Sequence, residues 1–284
     1  MFGFMTFVTS IKTSWKDLKN IFLSPLSLIS IILAQHLLLP FIAKGLGLAG
    51  FPNNPALITG FVLASALPVG ITAVIWTGMS RGEVALSLTA VTVDTLLSPL
   101  TVSLVLFAFI GETVEINYAA IVKGLVAMIV IPSALGLTIN DLTKGKFNSY
   151  FGVFLGPLSS LCLCGVIMVN VATAKATAAN LVNAAPIMIF LALLLVTSGF
   201  IVGWIVSKLL SFSFSTRTAC IYCTGIRNTS CGLVIAIGHL PIEASIPLLI
   251  TMFFQQPLAA LTQKLVLTRY SQQNVCNEQM QAEK

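Results

Sequence analysis

"CTGIRNTS", Cys223 to Ser230, interrupts one of the most apolar parts of this chain. Between Thr218 and Leu240 the only full charge is Arg227, beside Asn228 and just after Thr224 and Gly225, a glycine that weakens a helix. A second apolar segment is interrupted by "ALPVGITA", Ala66 to Ala73, where Pro68 removes a backbone donor and Gly70 loosens the turn beside Thr72. Hydrocarbon cannot satisfy the backbone groups freed at such breaks, so they must line a cavity or face protein. Breaks at corresponding places in two halves of a chain point to a transporter built from inverted repeats.

The composition around these breaks agrees with a bilayer as solvent. Of 284 residues, 57% are hydrophobic and 8% charged, and the mean hydropathy is +0.98; a soluble domain carries about 25% charged residues. Apolar runs recur along the chain, which predicts an all-α polytopic membrane protein. The spans read as 21–46, 56–79, 83–108, 117–139, 149–172, 182–208, 215–238 and 241–267. Residues 1–284 form one transmembrane unit, with 270–284 as a polar tail.

The basic pI of about 9.1 does not indicate nucleic acid, because the cations lie in short loops. Lys12, Lys16, Lys19, Arg81, Lys144, Lys146, Lys208, Arg217, Lys264, Arg269 and Lys284 fall on one side, against Lys44 and Lys175, with Lys123 near the other end. The positive-inside rule makes the larger set cytoplasmic, together with the C-terminus of a multi-pass protein of the cell membrane. The apolar stretch ahead of Lys12 has the reverse order of a signal peptide. It reads as the end of a helix whose beginning lies upstream, or as an interfacial segment.

Two charges of opposite sign sit deep in spans. Asp94 lies ~16 Å along its helix from Glu83, and Arg227 ~15 Å from Arg217, at 1.5 Å per residue. Gly70 lies at a similar level. A buried charge costs several kcal/mol unless paired or hydrated, so Asp94 and Arg227 read as a structural ion pair, a substrate or proton site, or both. Ser87, Val91, Asp94 and Ser98 share one helix face, flanked by Thr92 and Thr95. Gln35 and His36 read either as facing a cavity or, in preference, as interhelical hydrogen-bonding residues, and Gln255 and Gln256 before Pro257 carry the same ambiguity. Five of six cysteines fall in apolar spans, and "CIYC" at Cys220–Cys223 lacks the context of a redox or zinc motif. No nucleotide-binding or hydrolase signature occurs, so the chain reads as a non-enzyme with no cofactor.

"ALPVGITAVIWTGMSRGEVALSLTAVTVDTLLSP" (Ala66–Pro99), "RTACIYCTGIRNTSCGLVIAI" (Arg217–Ile237) and "FLSPLSLISIILAQHLLLP" (Phe22–Pro40) together resemble the bile acid:sodium symporter family. The resemblance implies ten helices in two inverted five-helix repeats, with two broken helices crossing in a core domain beside a panel domain. Against that plan the chain lacks the first one and a half helices. It also implies sodium ligands that are missing here. The family's Ser–Asn pair is Ala73–Val74, its Thr is Val91, its Glu is Cys223 and its Gln is Arg227, while Ser87, Gly225 and Asn228 remain. A hard cation needs oxygen ligands, so sodium coupling is expected to be weak or absent, with Arg227 a fixed cation in its place, Asp94 its counter-charge, and a proton on Asp94 the alternative coupling ion.

The expected cargo is a small organic anion, bound among Gly70, Thr72, Ser87, Asp94, Thr224, Gly225, Arg227 and Asn228. Two other readings stay open: an arsenite or antimonite efflux carrier, kept alive by the thiols of "CIYC", and a non-transporting sensor or scaffold locked by an Asp94–Arg227 pair.

Overall fold

The computed structural model describes residues 2–15, 25–111, 114, 116–180 and 182–282. Lys16, Lys19 and Lys284 of the predicted cytoplasmic set lie outside the described residues. Within them the regular structure is helical, apart from one isolated β-bridge. A short α1 (Phe2–Ser10) precedes α2 (Pro25–Gly50). The first broken helix follows as α3 (Pro55–Ala66) and α4 (Thr72–Met79), then α5 (Val84–Phe109). After α6 (Tyr118–Thr143), α7 (Lys146–Asn180) and α8 (Ala185–Leu209) comes the second broken helix, α9 (Phe214–Gly225) and α10 (Thr229–His239). The last is α11 (Ser245–Ala282), which continues as helix through the stretch read as a tail.

Among the described residues, six helical segments are long and apolar enough to cross a membrane, and α3 and α10 are shorter apolar helices. Phe41, Leu100, Leu104, Phe107 and Phe253 point large apolar side chains outward, an arrangement that only a lipid surround makes favourable. The protein is a multi-pass membrane protein.

Local chemistry sets the ends of the broken helices. Asn54 caps α3 by accepting the Leu57 N–H at 3.1 Å, with Pro55 at the first helical position. Ser213 caps α9 by accepting the Thr216 N–H at 3.2 Å. Every residue of α3 from Leu57 to Ala66 is buried, so α3 is apolar all round, as a central helix must be. Close packing in the second half runs through small residues. A Cβ on Gly199 would stand 2.8 Å from the Thr224 carbonyl oxygen, and one on Gly203 2.8 Å from that of Cys220. This Gly-xxx-Gly seam lets the backbone of α9 lie against α8, fixing the approach of the second break to the core.

Candidate functional site

The two interruptions meet. Val69 lies opposite Arg227 in an antiparallel bridge. The Gly70 N–H donates to the Ile226 carbonyl at 3.0 Å, and the Asn228 N–H donates to the Pro68 carbonyl at 2.8 Å. Each break thereby supplies the other's backbone partners, which is how unwound chain is tolerated at membrane depth.

A side chain from the following long helix completes each break. The Val69 N–H donates to Asp94 Oδ2 at 2.8 Å from α5. The Arg227 N–H donates to Gln255 Oε1 at 2.9 Å from α11. Asp94 and Gln255 therefore occupy equivalent roles in the two halves, one as a carboxylate and one as an amide. Changing Gln255 to Leu leaves a buried N–H unpaired and is expected to lower stability by about 1–3 kcal/mol; Gln255→Glu, which restores an acceptor, separates this loss from mere shape in thermal unfolding of purified protein.

The expected Asp94–Arg227 ion pair is not made. Asp94 is fully buried, and its Oδ1 lies 2.6 Å from His36 Nε2. Its two oxygens are thus taken by His36 and by Val69. Arg227 Nη2 donates instead to the Thr224 carbonyl at 2.9 Å, and Nη1, also buried, has no hydrogen-bond partner. Sequence depth placed both charges at one level, but Asp94, on the continuous α5, turns to His36 and Val69 while Arg227, at the second break, turns to the Thr224 carbonyl.

His36 reaches Asp94 from a π-helical turn, Ala34–Leu38, within α2. On a helix, consecutive residues point about 100° apart, and here they serve different partners. Gln35 Nε2 donates to the Cys223 carbonyl at 2.9 Å, while His36 meets Asp94. Both are interhelical hydrogen bonds, as read from the sequence. Local helix irregularity of this kind recurs at functional sites.

A cavity of about 300 Å³ opens at the crossing. Gly70, Thr72, Arg227 and Asn228, of the residues singled out from sequence, line it. So do Thr92 and Thr95 of α5 and Gln255 and Gln256 of α11. Hydroxyl side chains add to the wall, from Thr6, Thr9 and Ser10 of α1, Ser133 of α6, and Ser159 and Ser160 of α7, among apolar ones such as Phe2, Met5, Leu137 and Met252. Gln256 ties the wall together, accepting the Trp76 Nε1–H at 2.8 Å and donating to Thr72 Oγ1 at 3.2 Å. Both α4 and α10 begin here, so two positive helix ends converge on the same space.

The other sequence candidates lie behind or beside this cavity. Thr224 and Gly225, with Arg227 and Gln255, border a separate void of about 20 Å³. Ser87 is fully buried and shares a hydrogen bond of 2.9 Å with Thr77. Val91 and Ser98 are buried on that same face of α5. The hydroxyls of α1 and α7 were not legible from sequence, since isolated Ser and Thr in apolar helices give no periodic signal. Cys220 and Cys223 are buried free thiols, and among the described residues no group of three His, Cys, Asp or Glu side chains gathers as a metal site.

Two crossed breaks with a cavity between them have a counterpart in sequence. Residues 1–181 match the Sodium Bile acid symporter family. The chain belongs to that family. It is 34% identical over 265 residues to "Uncharacterized protein YbaS" of Bacillus subtilis (strain 168), covering 92% of this chain and 85% of that protein. It is 22% identical over 245 residues to "Uncharacterized sodium-dependent transporter YocS" of the same organism, covering 86% of this chain and 75% of YocS. It is 25% identical over 243 residues to "Probable sodium/metabolite cotransporter BASS2, chloroplastic" of Oryza sativa subsp. japonica, covering 84% of this chain and 55% of that protein. Family membership makes the chain a secondary transporter.

Proposed function

We propose that this chain carries a small organic anion across the cell membrane, with sodium not required and a proton on Asp94 as co-substrate. The observation that carries this reading is Arg227: 8% exposed, bordering the cavity, with one terminal guanidinium nitrogen unpartnered. A buried cation with an unpartnered donor, on a residue that lines a cavity, is a ready partner for a carboxylate or sulfonate. The starts of α4 and α10 add positive potential at the same place.

A cavity of about 300 Å³ is at the small end of small-molecule sites, and its many hydroxyls favour a compact, hydrogen-bonding anion over a large apolar one. Sodium fits poorly for chemical reasons. Ala73, Val74 and Val91 have no side-chain oxygen, Cys223 brings a thiol, and Arg227 repels a cation. The sodium in the names of YocS and the plant proteins therefore does not carry over. The distribution of Lys and Arg supports a cytoplasmic C-terminus.

The test is counterflow in proteoliposomes preloaded with unlabelled lactate, other small hydroxy acids, a small sulfonate or taurocholate. Exchange of at least one small anion, with none of taurocholate, is expected. Exchange of taurocholate alone, or of no anion, overturns the reading.

A further inference from the structure

The His36–Asp94 contact lies behind the cavity wall and is not explained by anion binding. Asp94 Oδ1 meets His36 Nε2 at 2.6 Å, Asp94 Oδ2 holds the Val69 N–H at 2.8 Å, and His36 Nδ1 is buried without a partner. The next residue, Gly70, lines the cavity. Of the other titratable groups, Cys223 of α9 and Arg227 of the second break face Asp94. The first break, which packs directly on the carboxylate, contributes only Pro68, Val69 and Gly70. At the second break Gln255 does for Arg227 what Asp94 does for Val69, and an amide does not titrate. Among the described residues at the crossing, Asp94 is thus the one carboxylate, and the equivalent position at the second break is held by an amide.

We propose that His36 and Asp94 form a single protonation unit that takes up one proton for each monovalent anion bound at Arg227, making transport electroneutral. The inference rests on the anion reading above and deepens it. With a single proton shared in the 2.6 Å contact between Asp94 Oδ1 and His36 Nε2, the unit carries one negative charge against the one positive charge of Arg227. An arriving monoanion leaves the core at minus one. A proton taken up by the unit, whether it rests on the imidazole or the carboxyl, returns the sum to zero. A net charge at membrane depth is strongly disfavoured, so the neutral loadings are empty without the extra proton and anion-bound with it. The Val69 N–H reports the change to the break, because a hydrogen bond to a carboxylate weakens when that carboxylate is neutralised.

The experiment is pH-difference infrared spectroscopy of the purified protein in liposomes, with and without lactate. A carboxyl band that titrates in the wild type is expected to vanish in Asp94→Asn and to shift its midpoint by about one pH unit or more in His36→Gln. Lactate is expected to raise the proton affinity of the unit about tenfold, by the reciprocity of coupled binding, and to lose that effect in Arg227→Gln. In the same vesicles, a potassium-diffusion potential is expected to leave lactate uptake unchanged while an inward proton gradient drives it. A titrating band that survives Asp94→Asn, or a midpoint unmoved in His36→Gln, overturns the paired unit. Uptake accelerated by an inside-positive potential overturns electroneutrality. The band is read without substrate, so absence of any effect from lactate, the other small hydroxy acids and the small sulfonate removes the anion reading and the stoichiometry built on it, while the titrating unit stands.

Discussion

Arg227→Ala lowers small-anion uptake by at least ~100-fold while the protein still folds. Removing one partner of a buried, hydrogen-bonded charge pair costs about 2–5 kcal/mol, and each 1.4 kcal/mol is about tenfold. The fold should survive because, apart from the Nη2 bond to the Thr224 carbonyl, the contacts of residue 227 that hold the break are backbone ones. Its N–H donates to Gln255 and its strand neighbour is Val69, and neither depends on the side chain. Truncation removes a buried charge whose desolvation opposes folding, but it also takes the counter-charge from the His36–Asp94 unit, so the two effects offset and the unfolding temperature should change little while transport falls. Arg227→Lys keeps the charge but not the planar fork, and should recover only part of the uptake. A variant that unfolds as readily as it loses uptake would assign Arg227 to structure.

The second large effect is expected from Gly70. A Cβ there would stand 2.9 Å from the Arg227 carbonyl oxygen, 3.1 Å from its carbonyl carbon and 3.1 Å from Ile226 Cγ2. The nearest of these are backbone atoms of the opposing break, which cannot swing aside as a side chain would. Gly70→Ala must push the two interruptions apart, breaking the 3.0 Å bond from the Gly70 N–H to the Ile226 carbonyl. Overpacking of this kind costs about 1–3 kcal/mol, and the cavity wall moves with it, so both thermal stability and uptake should drop. Gly45→Ala is the control. A Cβ on Gly45 meets nothing within 4 Å, and alanine is a better helix former than glycine, so stability there should be unchanged or slightly higher.

Both breaks were legible because their cause is written in the residues that form them. Pro68 removes a donor, and Gly70 and Gly225 loosen turns inside otherwise apolar runs. The buried face of α5 was legible too, because Ser87, Val91, Asp94 and Ser98 recur at helical spacing. Partnership was harder to read. Counting residues from a helix end gives depth in the membrane but not direction around the axis, so Asp94 and Arg227, which both meet Val69, were wrongly expected to touch each other. The Asp94–His36 contact depends on the π-helical turn Ala34–Leu38, which no residue type in "AQHLL" announces. Gln255 could be noted as polar but not assigned, since its role exists only once the two breaks cross. The Gly199–Gly203 seam was visible in principle as a Gly-xxx-Gly pattern, and its importance follows from the carbonyls it lies against.

Whether a guanidinium serves where relatives are named for sodium is tested most directly by lactate uptake into proteoliposomes with sodium chloride replaced by choline chloride. Wild-type uptake should be the same in both media, and Arg227→Gln should be inactive in both. Uptake that collapses when sodium is withdrawn, or an Arg227→Gln variant that transports as well as wild type, would contradict a fixed cation at the crossing of the two breaks.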